Sequence, residues 1–308
     1  MKYKSLLEAI GKTPVLNITT LYQTKIKNKN IEVWIKLEKN NPGGSIKDRI
    51  ALSMIEAAER EKKLKPSSVI IEPTSGNTGV GLSLVGAIKG YKVILIMPDS
   101  MSIERRKLML AYGAELVLTP RALGMKGAIE KAKELLNTYP DAWMPMQFEN
   151  LNNPQIHYQA TALEIINDFP TGPTHLVCGV GTGGHLTGCS QLLKEHFPEI
   201  KTYAVEPVES QVLSGKGPGP HFIQGIGAGF IPPILNQTLI DKVMAVSKEQ
   251  AFSFSTLAAK KAGLLVGIST GASLAAVDEI LPDIHNSAQI LLFAYDTGER
   301  YLSVEGLF

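Results

Sequence analysis

The sequence predicts an α/β protein with mostly parallel sheets and helices on both faces. Short apolar runs rich in β-branched residues alternate with longer segments whose apolar residues recur at helical spacing. Strands that alternate with helices are typical of parallel sheets. The expected strands lie near 33–37, 69–72, 92–97, 115–119, 175–178, 201–205 and 289–294, and the least regular region is 207–242.

Composition narrows the class of protein. The chain has 308 residues, 44% of them hydrophobic, which supports a folded core in one large or two modest domains. With 31 basic and 29 acidic residues the net charge is +2, so no nucleic-acid partner is implied. No apolar run nears the ~18 residues of a membrane span, and we expect a cytoplasmic protein. Cys178 and Cys189 lack metal-ligand spacing, so we expect reduced thiols and no metal site.

The segment NPGGSIKDR, at 41–49, places a lysine where it could act as a nucleophile. Ser45 is a candidate N-cap and Asp48 a capping-box partner, which would put Lys47 near the second position of a helix. A cation there opposes the helix dipole, and this favours the neutral amine that attacks a carbonyl. Most lysines are simply solvated, but two glycine-rich loops further along the chain favour the chemical interpretation.

The first of these loops is EPTSGNTG, at 72–79, between a strand-like run and a helix-like run. Backbone N–H groups at a helix start bind anions, and the hydroxyls of Thr74, Ser75 and Thr78 would converge with them on a carboxylate. Asn77 adds an amide that can donate to a ring oxygen or an oxyanion. The alternative is an ordinary strand-to-helix turn rich in small residues.

The second loop is GVGTGGHLTG, at 179–188, again between a strand and a helix. Its glycines could cup one phosphate through backbone N–H groups and the helix dipole. Gly179, Gly181 and Gly184 also match the dinucleotide pattern GxGxxG, with Glu206 placed to grip a ribose, so nucleotide binding is a competing interpretation.

A reactive lysine, a carboxylate loop and a single-phosphate cup together describe an enzyme that holds pyridoxal 5′-phosphate (PLP) as a Schiff base. In these motifs the chain resembles the cysteine synthases (O-acetylserine sulfhydrylases), which are two-domain fold-type II PLP enzymes similar to the tryptophan synthase β chain. The resemblance extends from IGKTPV at 10–15 to DTGERYLS at 296–303. The segment GPGPHFIQGIGAGFIP, at 217–232, is closer to the cysteine synthases than to sister enzymes that make threonine or dehydrate serine.

The resemblance implies a role for each candidate residue. Lys47 would carry PLP and act as the catalytic base, Asn77 would contact its 3′ oxygen, and Ser269 would hydrogen-bond the pyridine nitrogen. The implied cofactor ligands are Lys47, Asn77, Gly181, Thr182, Gly183, Gly184, His185 and Ser269. The implied substrate ligands are Thr74, Ser75, Gly76, Asn77, Thr78, Gln147 and Gly225.

The implied reaction forms L-cysteine from O-acetyl-L-serine and sulfide and releases acetate through an α-aminoacrylate intermediate. Related alternatives are a cystathionine β-synthase, which uses homocysteine, and a cysteine desulfhydrase. A third is a protein with little turnover that binds serine acetyltransferase. A homodimer and the C-terminal tail of serine acetyltransferase are the implied protein partners.

The resemblance also implies a smaller, mobile substrate-binding domain at 40–150 and a larger phosphate-binding domain built from 1–39 and 151–308, with no appended regulatory domain. Two departures from the family pattern stand out. His185 occupies the place of a threonine at the end of the phosphate loop, where an imidazole could donate instead or turn to solvent. TALEI, at 161–165, replaces a usual glycine and proline and should alter helix geometry.

Overall fold

The structure, a computed structural model, describes residues 2–27, 29–100, 102–284 and 287–308. In chain order the strands are β1 (Val15–Asn17), β2 (Ile31–Lys36), β3 (Val69–Pro73), β4 (Lys92–Pro98), β5 (Glu115–Thr119), β6 (Ala142–Trp143), β7 (His175–Gly179), β8 (Lys201–Pro207), β9 (Lys242–Val246) and β10 (Ala288–Phe293). The α-helices are α1 (Lys47–Arg60), α2 (Asn77–Lys89), α3 (Ile103–Ala111), α4 (Gly124–Thr138), α5 (Asn152–Ile156), α6 (Ala162–Asp168), α7 (Gly184–His196), α8 (Lys248–Ala262) and α9 (Ile268–Ile280).

The chain divides into two compact units. Unit 1 comprises Met1–Ile10 and Asn41–Asn153, and unit 2 comprises Gly11–Asn40 and Pro154–Phe308. Every predicted strand is present, with its ends shifted by a few residues at most. The sequence interpretation missed β1 and β6, which are too short to show a period, and β9, which follows the irregular region directly.

The sheet of unit 1 has the order β5-β4-β3-β6, and its strands pair in parallel. Alternate residues of β4 face different cores. Leu95 packs in a cluster with apolar residues of α1 and α2, whereas Ile94 and Ile96 pack with α4. Because both faces are covered, these strands read as continuous apolar runs instead of alternating ones.

The sheet of unit 2 has the order β1-β2-β10-β7-β8-β9, and only β1 pairs antiparallel to its neighbour in the described part of the chain. Its main core joins Val33 and Ile35 of β2, Ile290 and Leu292 of β10, and α9. The predicted α/β architecture with mostly parallel sheets is therefore confirmed. The 74–78 loop follows β3 and the loop at 180–183 follows β7, in each case at the carboxyl end of a parallel strand.

Three further features bear on the sequence analysis. A π-helical turn, His157–Thr161, joins α5 to α6 where TALEI begins. Cys178 and Cys189 are buried and form no disulfide, and burial raises the pKa of the Cys178 thiol well above its usual value. Within the described ranges, no helix is both long and apolar enough to cross a membrane.

Candidate active site

Lys47 is the first residue of α1, and its side chain is half-buried. The predicted capping box is wrong. Ile46 occupies the N-cap, and the Ser45 hydroxyl accepts the N–H of Lys47 at 3.2 Å. The buried Asp48 carboxylate turns back to the preceding turn, where it accepts the N–H of Gly43. A side chain at Gly43 would collide with that carboxylate, so the glycine and the aspartate together shape the turn that presents Lys47.

A close approach of α1 and α2 sets the surroundings of Lys47. A Cβ atom placed on Gly81 of α2 would lie 3.1 Å from the carbonyl oxygen of Lys47 and 3.0 Å from the Cβ of Ala51. Glycine accommodates this close packing without strain, whereas a Cβ here would force its neighbours to shift. The first turns of α1 and α2, which begin with Lys47 and Asn77, are thereby brought together within unit 1.

The 74–78 loop joins β3 to α2 and is tied to Gln147 through its two threonines. The Gln147 carboxamide accepts a hydrogen bond from the Thr78 hydroxyl at 2.5 Å and donates to the Thr74 hydroxyl at 3.4 Å. All three side chains are buried. The structure thus brings together Gln147 and the loop, although about 70 residues separate them in sequence.

The middle of this loop is more open. Ser75, Gly76 and Asn77 are half-buried, and among the described residues other than its chain neighbours none comes within 4 Å of a Cβ built on Gly76. The first turn of α2 presents backbone N–H groups at this loop, and the positive end of the helix dipole lies here. An amino-acid carboxylate could therefore bind at this loop.

Glu72, a residue that the sequence analysis did not single out, underlies this arrangement. Its buried carboxylate accepts the N–H groups of Met146 at 3.0 Å and of Gln147 at 3.2 Å. Burial raises the pKa of Glu72 to about 7, while the two N–H donors act in the opposite direction. An acidic residue near the end of the otherwise apolar strand SVIIEP was the signal that could have identified it.

In unit 2, the predicted phosphate cup spans the turn from β7 to α7. Gly183 is the N-cap of α7 with a left-handed φ of 80°, and Gly184 begins the helix. A Cβ on Gly181 would overlap the carbonyl oxygen of Gly225, so the cup and the segment around Gly225 lie in direct contact. Backbone N–H groups at this helix start, with small residues around them, fit a phosphate group.

Ser269 joins the same cluster. It is the second residue of α9 and is buried, and a Cβ on Gly225 would lie 3.5 Å from its hydroxyl oxygen. Gly181, Gly225 and Ser269 are therefore brought together within unit 2.

Tyr295 connects the start of the phosphate loop with the first turn of α9. Its hydroxyl accepts the N–H of Gly179 at 2.8 Å, and its backbone N–H donates to the hydroxyl of Thr270, beside Ser269, at 3.1 Å. Burial is the main reason that the pKa of Tyr295 lies far above its usual value, so the phenol stays protonated. A residue just beyond β10 thus holds the phosphate loop and α9 in register.

The ring of His185 does not turn to solvent, so that alternative is wrong. The residue is 7% exposed, and its ring centroid lies 4.1 Å from Phe293, 5.1 Å from His157 and 5.8 Å from Tyr295, in each case edge to face. The imidazole therefore belongs to a buried aromatic cluster. Its backbone N–H lies at the second position of α7, in the first turn of the helix that follows the phosphate cup.

Glu206 does not match the nucleotide interpretation. One carboxylate oxygen accepts the N–H of Leu213 at 2.8 Å, and the other accepts the N–H and hydroxyl of Ser214 at 3.1 and 2.6 Å. Both oxygens hold the loop after β8. The carboxylate thus stabilises a loop and does not bind a ribose. The GxGxxG pattern therefore lacks the acidic residue that dinucleotide binding requires.

The chain belongs to the pyridoxal-phosphate dependent enzyme family, whose model matches residues 6–296. Among its relatives, a cysteine synthase from Flavobacterium sp. is 59% identical over 267 residues, which cover 87% of this chain and 85% of the relative. The predicted family and cofactor class are therefore confirmed, and the nucleotide-binding alternative is wrong.

Solved structures agree with this assignment. A cysteine synthase from Entamoeba histolytica matches with a TM-score of 0.95 and 38% identity, covering 99% of this chain and 90% of that one. An O-acetylserine dependent cystathionine β-synthase from Helicobacter pylori matches with a TM-score of 0.93 and 40% identity, covering 100% of this chain and 99% of that one. These similarities confirm the predicted fold-type II class.

Proposed function

We propose that this protein is a cysteine synthase, which forms L-cysteine from O-acetyl-L-serine and sulfide and releases acetate. One structural observation carries the proposal. The first residue of α1 is a lysine, and a glycine contact packs that helix start against α2, the helix that follows the 74–78 loop. The 59% identity to a cysteine synthase over most of the chain supports the same assignment.

Each candidate cofactor ligand would contact a different part of PLP. Lys47 would bind its carbonyl carbon, Asn77 its 3′ oxygen and Ser269 its ring nitrogen. The phosphate would take the N–H groups of the loop at 181–185, where Thr182 adds a hydroxyl and Gly183 and Gly184 leave room. PLP, when bound, withdraws electrons from the α-carbon of an amino acid, which acidifies the α-proton and lets a β-substituent leave.

Lys47 is the residue we assign to proton transfer. A base must be neutral, and the positive end of the α1 dipole disfavours the charged ammonium form of a lysine at the first helical position. Once its amine is released by the incoming amino group, it can take the α-proton of the substrate. The half-buried position limits the access of water.

The substrate carboxylate would bind at the 74–78 loop, where Thr74, Thr78 and Gln147 are already hydrogen-bonded to one another. Such preorganisation lowers the entropic cost of binding. Gly225, whose φ of 97° disfavours any other residue, would let backbone pass close to the substrate. Ser269 supplies a hydroxyl and no negative charge, so the ring nitrogen is not held protonated, and this suits β-replacement over transamination.

A cystathionine β-synthase activity is the second candidate, and the similarity to the Helicobacter pylori enzyme favours it specifically. That enzyme also takes O-acetylserine, so the two candidates share the first half of the reaction and differ in the thiol acceptor. A homodimer, binding of a serine acetyltransferase C-terminal tail and a cytoplasmic location remain part of the proposal.

The deciding experiment compares acceptors. Purified holoenzyme is given O-acetyl-L-serine with either bisulfide or homocysteine, and the amino-acid products are quantified. We expect cysteine formation to have the higher kcat/KM, and a preference for homocysteine would favour the second candidate. The Lys47→Ala variant should fold and retain some PLP but lose turnover, and turnover near the wild-type rate in that variant would contradict the assignment of Lys47.

A further inference from the structure

We propose that Glu72 is a positioning residue for substrate binding. Its carboxylate holds the backbone at Met146 and Gln147, and thereby keeps the Gln147 carboxamide on the two threonines of the 74–78 loop. The inference rests on the proposed function, because it concerns the loop to which we assign the substrate carboxylate. Glu72 would act only through Gln147, without contact with the substrate.

The pairing of β6 with β3 is short, and the Glu72 side chain replaces the backbone hydrogen-bond acceptors that a longer pairing would provide. β6 pairs with β3 at two positions, Ala142 with Val69 and Trp143 with Ile70. Beyond Trp143 the chain leaves the sheet, and its N–H groups lose the backbone acceptors that a longer strand would have. The Glu72 carboxylate supplies substitute acceptors for Met146 and Gln147.

The turn that Glu72 holds has an unfavourable backbone conformation. Met146 has a φ of 57°, in the left-handed region that residues with a side chain rarely adopt. Its carbonyl oxygen accepts the N–H groups of Glu149 at 2.9 Å and of Asn150 at 3.0 Å. With Glu72 on its N–H, Met146 is held from both sides, and removal of the carboxylate should let this peptide relax.

The backbone at Gln147 sets the direction of its side chain. The carbonyl oxygen of Gln147 accepts the Asn153 amide at 2.8 Å, and its N–H is held by Glu72. Because the backbone N–H and the carbonyl of Gln147 are both held, its carboxamide is directed at Thr78 and Thr74. Loss of the hydrogen bond between the Gln147 N–H and Glu72 should therefore disorder the 74–78 loop. It should leave proton transfer by Lys47 unchanged.

The experiment separates binding from chemistry. Holoenzyme carrying Glu72→Gln is titrated with L-methionine, an amino acid without a β-leaving group, by its absorbance change, and is assayed with O-acetyl-L-serine. The new amide NH₂ faces one of the two backbone N–H groups, so one of the two hydrogen bonds is lost. We expect Kd for L-methionine and KM to rise about tenfold, with kcat within about twofold. Glu72→Asp, which keeps the charge but is shorter, should give an intermediate Kd.

Two controls make the inference falsifiable. Glu59→Gln changes another glutamate of unit 1, one that accepts hydrogen bonds from Lys89 and Tyr91, and should leave Kd unchanged. In a Gln147→Ala background, Glu72→Gln should raise Kd by less than about twofold, because the residue through which it acts is gone.

An unchanged Kd in Glu72→Gln, or a full tenfold effect in the Gln147→Ala background, would overturn the inference. If Glu72→Gln fails to fold, Glu72→Asp decides, and a wild-type Kd in that variant would overturn it equally. A wild-type protein that responds to neither amino acid would instead contradict the proposed function, so the two failures are distinguishable.

Discussion

Gly81 of α2 packs against the carbonyl oxygen of Lys47, the first residue of α1, so closely that a Cβ on the glycine would lie 3.1 Å from that oxygen. The contact couples the position of the candidate catalytic lysine to the helix that follows the 74–78 loop. A small residue in the second helix is therefore part of what places the amine.

Enlarging Gly81 should displace Lys47. Valine adds two methyl groups where even a single Cβ is tight, so we expect Gly81→Val to lower kcat at least tenfold and to weaken PLP binding, with overpacking costing roughly 1–3 kcal/mol of stability. PLP absorbance and steady-state kinetics measure both effects. Gly90→Ala, at the far end of α2, is the matched control for helix stability. Wild-type kcat in Gly81→Val would show that the close approach does not place the lysine.

His185 should matter to packing more than to phosphate binding. Its ring lies edge to face with Phe293 at 4.1 Å, so His185→Ala should leave a cavity and destabilise the protein by roughly 2–4 kcal/mol. Because the backbone N–H is unchanged, Kd for PLP should rise less than about threefold. Thermal melting and PLP titration of the apoenzyme test this. A tenfold loss of PLP affinity at an unchanged melting temperature would instead place the imidazole on the phosphate.

Lys36 should be a major contributor to the stability of unit 2. Its fully buried ammonium donates to the carbonyl oxygen of Thr13 at 2.7 Å and pairs with Glu164 at 2.9 Å. Lys36→Ala leaves the carboxylate without this partner and should cost about 3 kcal/mol, whereas Lys36→Met with Glu164→Gln should cost less. Chemical denaturation of the apoenzyme measures both. Equal stability of Lys36→Ala and wild type would contradict the account.

Glu72 should make stability depend on pH. Its pKa in the folded protein is about 7, against a usual 4.5, so between these values the folded state holds a proton that the unfolded state releases. Stability should therefore fall as pH rises through this window, by up to about 1.4 kcal/mol per pH unit. Glu72→Gln should lack this component.

The measurement is the difference in melting temperature between wild type and Glu72→Gln across that pH window. The melting temperature of the wild type should fall relative to that of the variant as pH rises, and the difference should level off above about pH 7. A difference that is independent of pH would mean that Glu72 titrates in its ordinary range.

Local signals explain how much of this molecule could be read from its sequence. The apolar runs of β3, β4 and β7 and the glycine turns after β3 and β7 are short-range patterns, so those strands and loops were predictable. The capping box failed because Asp48 has a competing partner in Gly43, which no spacing rule reveals. The roles of Glu72 and Tyr295 depend on residues distant in sequence, Gln147 and Gly179, and became visible only once the chain was folded.

The most direct test of the central claim is the absorbance spectrum of the purified protein before and after addition of O-acetyl-L-serine. If Lys47 holds PLP and the 74–78 loop binds the substrate, a visible band should be present, shift to longer wavelength on O-acetylserine and return when bisulfide is added. The Lys47→Ala variant should not show this cycle. A colourless protein that PLP cannot reconstitute, or a band that ignores O-acetylserine, would contradict the account.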